Sequence, residues 1–153
     1  MTPRRSRRQA GFSVTELMVV VAILGLLAAL AAPNMGAMIR TQRLKTASFD
    51  IFSSLAYARS EAIKRNTSVT LTPVNSADWA KGWRITDSNG TMLRDQSGWE
   101  TVTASGPAVV TFFNSGRPNT AGNIEITAYG ISQVRCVKLD LSGRAVTKEG
   151  ACS

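Results

Sequence analysis

The stretch RRSRRQAGFSVTELMVVVAILGLLAALAAP places a single carboxylate, Glu16, at the edge of a long apolar run. A carboxylate beside membrane-grade apolar sequence is expensive to desolvate unless it is paired. Its chemistry is therefore ion pairing, and the partner has to be found. Two cysteines, Cys136 and Cys152, offer a crosslink near the other end of the chain. Four basic residues around them, Arg135, Lys138, Arg144 and Lys148, are of the type that neutralises phosphates. There is no histidine, which removes the commonest general base and the commonest zinc ligand. No CxxC pair, Gly-rich phosphate loop or GxSxG elbow occurs. The expectation is a non-enzymatic protein with no metal, no catalytic residues and no cofactor.

The 153 residues suffice for one modest domain and an appendage. The net charge of +8 is unevenly placed. Arg4, Arg5, Arg7 and Arg8 lie in the first eleven residues, which contain no acid; without them the excess is +4. So mild an excess does not by itself point to nucleic acid. From Leu17 to Ile39 there are 23 residues without a charge. At ~1.5 Å per residue, a helix of that length spans a hydrocarbon core of ~30 Å. The arginines before it predict a cytoplasmic N-terminus and an exported C-terminal part. Three readings share these features: a secretory signal cut after LAALAAP, a plain membrane anchor, and a signal cut before the apolar run.

The junction GFSVTE separates them. Gly11, Phe12, Glu16 and unbroken apolar residues follow a short basic leader. This resembles the type III signal of type IV prepilins and type II secretion pseudopilins. The resemblance implies that a membrane prepilin peptidase cuts between Gly11 and Phe12 and methylates Phe12. Pro33 matches the proline that commonly kinks pilin helices. The resemblance also gives Glu16 a partner. Cleavage creates an α-amine on Phe12, whose reference pKa of ~7.7–8.0 leaves it largely protonated at neutral pH. N-methylation preserves that charge. In a packed bundle of such helices, one subunit's amine meets another's carboxylate, a pairing that a buried environment tolerates. The alternative is a Glu16 solvated at the headgroup level.

Beyond Pro33 the helical pattern continues. Leu44, Ala47, Ile51, Leu55, Ala58 and Ala62 recur at spacings of three and four, and Phe49 and Phe52 widen the stripe. Arg40, Arg43, Lys45, Arg59, Lys64 and Arg65 fall largely elsewhere on the wheel, and the helix is expected to end near Asn66. The stretch YARSEAIKRN resembles the equivalent helix end in minor pilins and pseudopilins of the GspH/FimT group. The period then switches to two. SVTLTPV (68–74), GWRIT (82–86), AVVTFF (108–113), NIEITA (123–128) and VRCVKLDL (134–141) read as strands. Asn89–Gly90 marks a hairpin turn, and Gln96–Pro107 reads as a loop. The fold expected is α+β: leader 1–11, a long helix over 12–66 with its membrane part at about 12–39, and an antiparallel β domain over 67–153. That layout resembles the pilin fold.

Trp83 is expected to pack in the core, while Trp79 and Trp99 are open between packing and a base-stacking platform. In an exported domain the even cysteine count reads as a Cys136–Cys152 disulfide. By the entropic model, closing a loop of that size stabilises the fold by ~3 kcal/mol. In a continuous strand, Lys138, Arg144 and Lys148 would share a face and Arg135 would point away. Some FimT-like pilins of competent bacteria take up DNA through a C-terminal Gly-Arg-x-Arg motif. The matching stretch here is Gly143-Arg144-Ala145-Val146, with valine for the second arginine and Glu149 close by. A β edge blunted by cations accounts for the same residues. A second Gly–Arg pair stands at Gly116–Arg117.

Taken with the resemblance, the sequence reads as a structural minor pilin that helps to initiate and cap a type IV pilus. Its expected partners are the prepilin peptidase, other minor pilins and the major pilin. It is expected to be a single-pass inner-membrane protein with a periplasmic C-terminal domain, assembled at the pilus tip. The alternatives are a minor pseudopilin of type II secretion, and a DNA-binding pilin using Arg144, Lys148 and Lys138.

Overall fold

The computed structural model describes residues 12–152, except for the side chains of 30–34. The expected leader 1–11, with Gly11, and the expected kink at Pro33 lie outside that description. One helix, α1, runs from Val14 to Arg65. The chain divides into two compact units, Met1–Gly36 and Ala37–Ser153.

In the first unit the side chains from Phe12 to Ala29 are exposed all round the helix. Among the described residues no helix is long and apolar enough to cross a membrane. The described side chains of the apolar run break off at Ala29 and resume at Met35, inside the expected span of about 12–39.

The second unit holds the core. The stripe Leu44, Ala47, Ile51, Leu55, Ala58 and Ala62 is fully buried. It belongs to one hydrophobic cluster with Val69, Leu71, Ile85, Phe112, Ile126 and Val137 from the strands. Phe52 packs half-buried against this cluster, whereas Phe49 is 63% exposed and does not widen it. Asn66 ends the helix in the left-handed region (φ 53°), and the Thr67 N–H donates to the Ala62 carbonyl at 3.1 Å. Asparagine at that position is a common helix terminator.

The strands are β1 (Val69–Asn75), β2 (Asp78–Asp87), β3 (Met92–Ser97), β4 (Val102–Ser105), β5 (Val110–Phe112), β6 (Gly122–Ala128), β7 (Val134–Leu139) and β8 (Ala145–Glu149). All pairings are antiparallel, in the order β5-β1-β2-β4-β6-β7-β8, with β3 beside β2. The α+β reading holds, and the Asn89–Gly90 turn joins β2 to β3, with the Asp87 carboxylate accepting from the Asn89 and Thr91 N–H groups. The loop expected over 96–107 is a correction. It contains β4 and the end of β3, because Val102 and Ala104 bury alternately while Thr103 and Ser105 face out. The polar residues between them mask the alternation. β8 is also additional to the expected strands.

The tryptophans stack in series, Trp79 to Trp83 at 5.7 Å and Trp83 to Trp99 at 5.5 Å between ring centroids. Trp79 and Trp83 are fully buried and Trp99 half-buried, so they pack the sheet and form no open platform for bases. Trp79 Nε1 donates to the Pro107 carbonyl at 2.9 Å.

Leu55→Ala is expected to lower the unfolding free energy by about 2–5 kcal/mol, and Phe49→Ala by less than about 0.5 kcal/mol. Urea denaturation of the two variants checks the contrast; equal losses would place Phe49 in the core.

Candidate functional site

Two regions carry the residues singled out by sequence. The first is the start of α1. The Leu17 N–H donates to the Ser13 carbonyl at 3.1 Å, closing the first turn, and Glu16 lies in that turn. An acid there is favoured by the helix macrodipole, typically by ~0.3–1 kcal/mol. Phe12, four residues earlier, is 76% exposed. Glu16 is exposed and has no ion-pair partner among the described residues. Leu17, Met18, Val19, Val20, Val21, Ile23 and Leu24 are exposed as well. A helix apolar on every side is buried by something other than its own domain.

The second region is the C-terminal sheet edge. Cys136 and Cys152 form the expected disulfide, and the Cys152 N–H donates to Glu125 at 3.2 Å. The expected alignment of Lys138, Arg144 and Lys148 on a continuous strand does not form. A turn over residues 140–143 reverses the chain, so Arg144 sits at the mouth of that turn and not on β7. Asp140 builds the turn. Its carboxylate accepts from the Ser142 N–H at 2.8 Å, the Arg144 N–H at 3.2 Å and the Ser142 hydroxyl.

The register pairs Lys138 with Val146 and Cys136 with Lys148, which puts the two lysines on one face. Glu125 pairs with Cys136 across β6 and β7, so an acid stands in the same row as Lys148. Arg135 lies on the opposite face, as parity requires, in an ion pair with Glu149 at 2.6 Å. Arg135, Arg144 and Lys148 thus each have an acid close by in the register or the turn.

Residues 47–143, more than half of the chain and most of the second unit, match the model of the family described as type II transport protein GspH. The chain belongs to the GspH family. Residues 6–32 match the prokaryotic N-terminal methylation motif. The type IV minor pilin FimU of Pseudomonas aeruginosa is similar in structure, with 25% identity and a TM-score of 0.64, over 71% of this chain and 90% of that one. A second crystal form of FimU gives 26% identity and a TM-score of 0.61, over 69% and 92%. The minor pseudopilin EpsH of the Vibrio cholerae type 2 secretion system shares the fold at 11% identity and a TM-score of 0.56, over 69% and 96%. No curated protein matches the chain.

This GspH-family head contains a contact that sequence reasoning missed. Its two Gly–Arg pairs meet in space. Gly143 and Gly116 both have positive φ, 81° and 75°, and a Cβ on Gly143 would strike the Gly116 carbonyl oxygen. Arg59 of α1 lies against both, and its Nη1 donates to the Gly143 carbonyl at 3.1 Å. The two turns are therefore fastened to each other and to the helix, and no local sequence pattern states that they meet. Two residues later Glu61 is buried and takes Arg65 Nε at 2.6 Å and Lys64 Nζ at 3.6 Å. Among the described residues no group of His, Cys, Asp and Glu is placed to hold a metal ion.

The Arg65 hydrogen bond is the main reason the Glu61 carboxyl is held below its ordinary value. The Thr91 N–H does most of the same for Asp87, and the Ser142 hydroxyl for Asp140. Asp50 is shifted upward, chiefly by burial. Carboxyls with lowered pKa contribute stability above their unfolded value, near pH ~4, and lose it as pH falls through the folded value; Asp50 acts in the opposite sense. The urea midpoint is expected to be flat down to about pH 5 and to fall below about pH 4. Asp140→Asn should fall less steeply with acid. A midpoint that rises on acidification would contradict this assignment.

Proposed function

We propose that this GspH-family chain is a minor pilin of a type IV pilus. It is made as a precursor held in the inner membrane by the run from Leu17 to Ile39, with its β domain in the periplasm. Prepilin peptidase cuts between Gly11 and Phe12 and methylates Phe12. The mature chain joins other minor pilins and the major pilin, helping to start the filament and to cap its tip. The observation that carries this reading is the union, in one chain, of a methylation motif over 6–32 and a head whose fold covers 90% of a type IV minor pilin.

The mechanism is assembly without covalent chemistry of its own. Processing exposes an amine on Phe12, one helical turn before Glu16. That amine stands at the positive end of the helix macrodipole, where a cation is unfavourable. A carboxylate from a neighbouring helix offsets it, and Glu16 supplies the same service to a neighbour's amine. The exposed apolar girdle after Glu16 packs the helices together once they leave the lipid. The pseudopilin reading shares all of this and draws support from the family description, type II transport protein GspH; among the solved structures, however, the similarity at 25% identity is to a type IV minor pilin, and EpsH at 11% bears on fold alone. DNA binding through Arg144, Lys148 and Lys138 has less support. Asp140 and Glu125 interrupt the cationic surface, and Val146 stands where the DNA-binding motif of some FimT-like pilins has arginine.

Intact-mass and peptide analysis of the mature protein should find N-methylated Phe12 as the first residue. Glu16→Ala should be processed normally but recovered in sheared pili at less than about a tenth of the wild-type level, the loss expected when a buried charge keeps no partner. A different N-terminus, or normal recovery of the variant, would contradict the proposal.

A further inference from the structure

The end of the head from which the apolar segment departs carries an unusual group of side chains. Arg40 and Arg43 stand one turn apart on α1, three and six residues past Ala37, where the second unit begins. Both are exposed, and neither is in an ion pair among the described residues. Each reaches a different turn of the sheet. Arg40 Nη1 donates to the Gly130 carbonyl at 3.4 Å, and Arg43 Nη1 to the Thr101 hydroxyl at 3.2 Å. Gly130 has φ 75°, and a Cβ there would collide with Arg40 Nη1, so the tip of the arginine lies against that turn.

Beside Gly130, Tyr129 is 87% exposed, the most exposed large hydrophobic residue among those described. On the other flank Ile39, Gln42, Arg43, Thr46 and the half-buried Trp99 line an open groove of about 230 Å³ whose walls are almost wholly apolar. Thr41 donates to Gln133 at 2.8 Å and braces the Tyr129 turn. The acid nearest in sequence to this group is Glu100, against the three cations Arg40, Arg43 and Lys45.

A lone exposed tyrosine needs no explanation. Here it joins a tryptophan, an apolar groove and unpaired guanidinium groups at the end of the head that continues directly into the apolar run. Amphipathic aromatic rings and arginines are the side chains that settle at the headgroup level of a bilayer. We infer that this end of the head is a lipid-docking surface, with Arg40 and Arg43 binding the phosphates of anionic phospholipids while Tyr129 and the Trp99 groove sit among the headgroups. The inference rests on the proposed membrane anchor. It adds a parked state, in which the head lies on the lipid surface before its helix is drawn into a filament. Extraction into the filament then has to break these contacts as well as withdraw the helix.

The test uses the full-length chain with Ser132→Cys carrying an environment-sensitive NBD label, reconstituted into vesicles. Phosphatidylcholine alone is compared with phosphatidylcholine containing phosphatidylglycerol. NBD emission should rise and shift to the blue only in the anionic vesicles, and the change should be reversed by high salt. Each of Arg40→Gln and Arg43→Gln should lower the ratio of docked to free head about fivefold. Arg40→Lys and Arg43→Lys should retain docking, which separates loss of charge from misfolding. Identical emission in both lipids, or a signal unchanged in the double Gln variant, would overturn the inference. Flotation in both vesicle types reads the anchor independently. A chain that floats without lipid-dependent emission sinks this inference alone, whereas one that does not float sinks the anchor with it.

Discussion

One helix must bury two different apolar surfaces. Over residues 44–62 the surface is a stripe, and the sheet of the same chain covers it. Before residue 30 it is a girdle exposed on every side, and nothing described in the chain covers it. A stripe is satisfied within a monomer, but a girdle is satisfied only by lipid or by other helices. Glu16 stands at the margin of that girdle, so whatever buries the girdle must also answer a charge. In the proposed function, precursor, anchor and filament subunit are successive answers to that one constraint.

The head holds its helix firmly, as the proposed transfer of the girdle from lipid to filament requires. Arg59 is fastened to the Gly143 turn, which itself lies against the Gly116 turn. The disulfide ties the last residues to β7, and Cys152 is bonded to Glu125 on β6. Thr41 bonded to Gln133 and Ser48 bonded to Arg135 add further links between helix and sheet, so a pull on the helix reaches the sheet at several points.

The parts legible in the sequence were those with strong periodicity or a specific motif. The stripe from Leu44 to Ala62 announced which helix face is buried, and every member is buried. Asn66, Asn89–Gly90 and the two cysteines each marked a feature that formed. Phe49 misled because apolar type alone does not say which side of a stripe has a wall to pack against. β4 was missed because its inward residues are only Val102 and Ala104, with threonine and serine between them. The tail was misread because Asp140 and Gly143 make a turn where a run of alternating residues suggested a continuous strand. The contact between the two Gly–Arg turns is tertiary, and no local pattern states that residues 116 and 143 will touch.

The central claim is that Glu16 answers an amine that exists only after processing. Zero-length carbodiimide crosslinking of purified filaments, followed by peptide mass spectrometry, tests it directly. The account predicts an amide between the Glu16 side chain of this subunit and the N-terminal residue of another. A Glu16 left uncoupled to any N-terminus, and open to modification by a water-soluble amine, would contradict it.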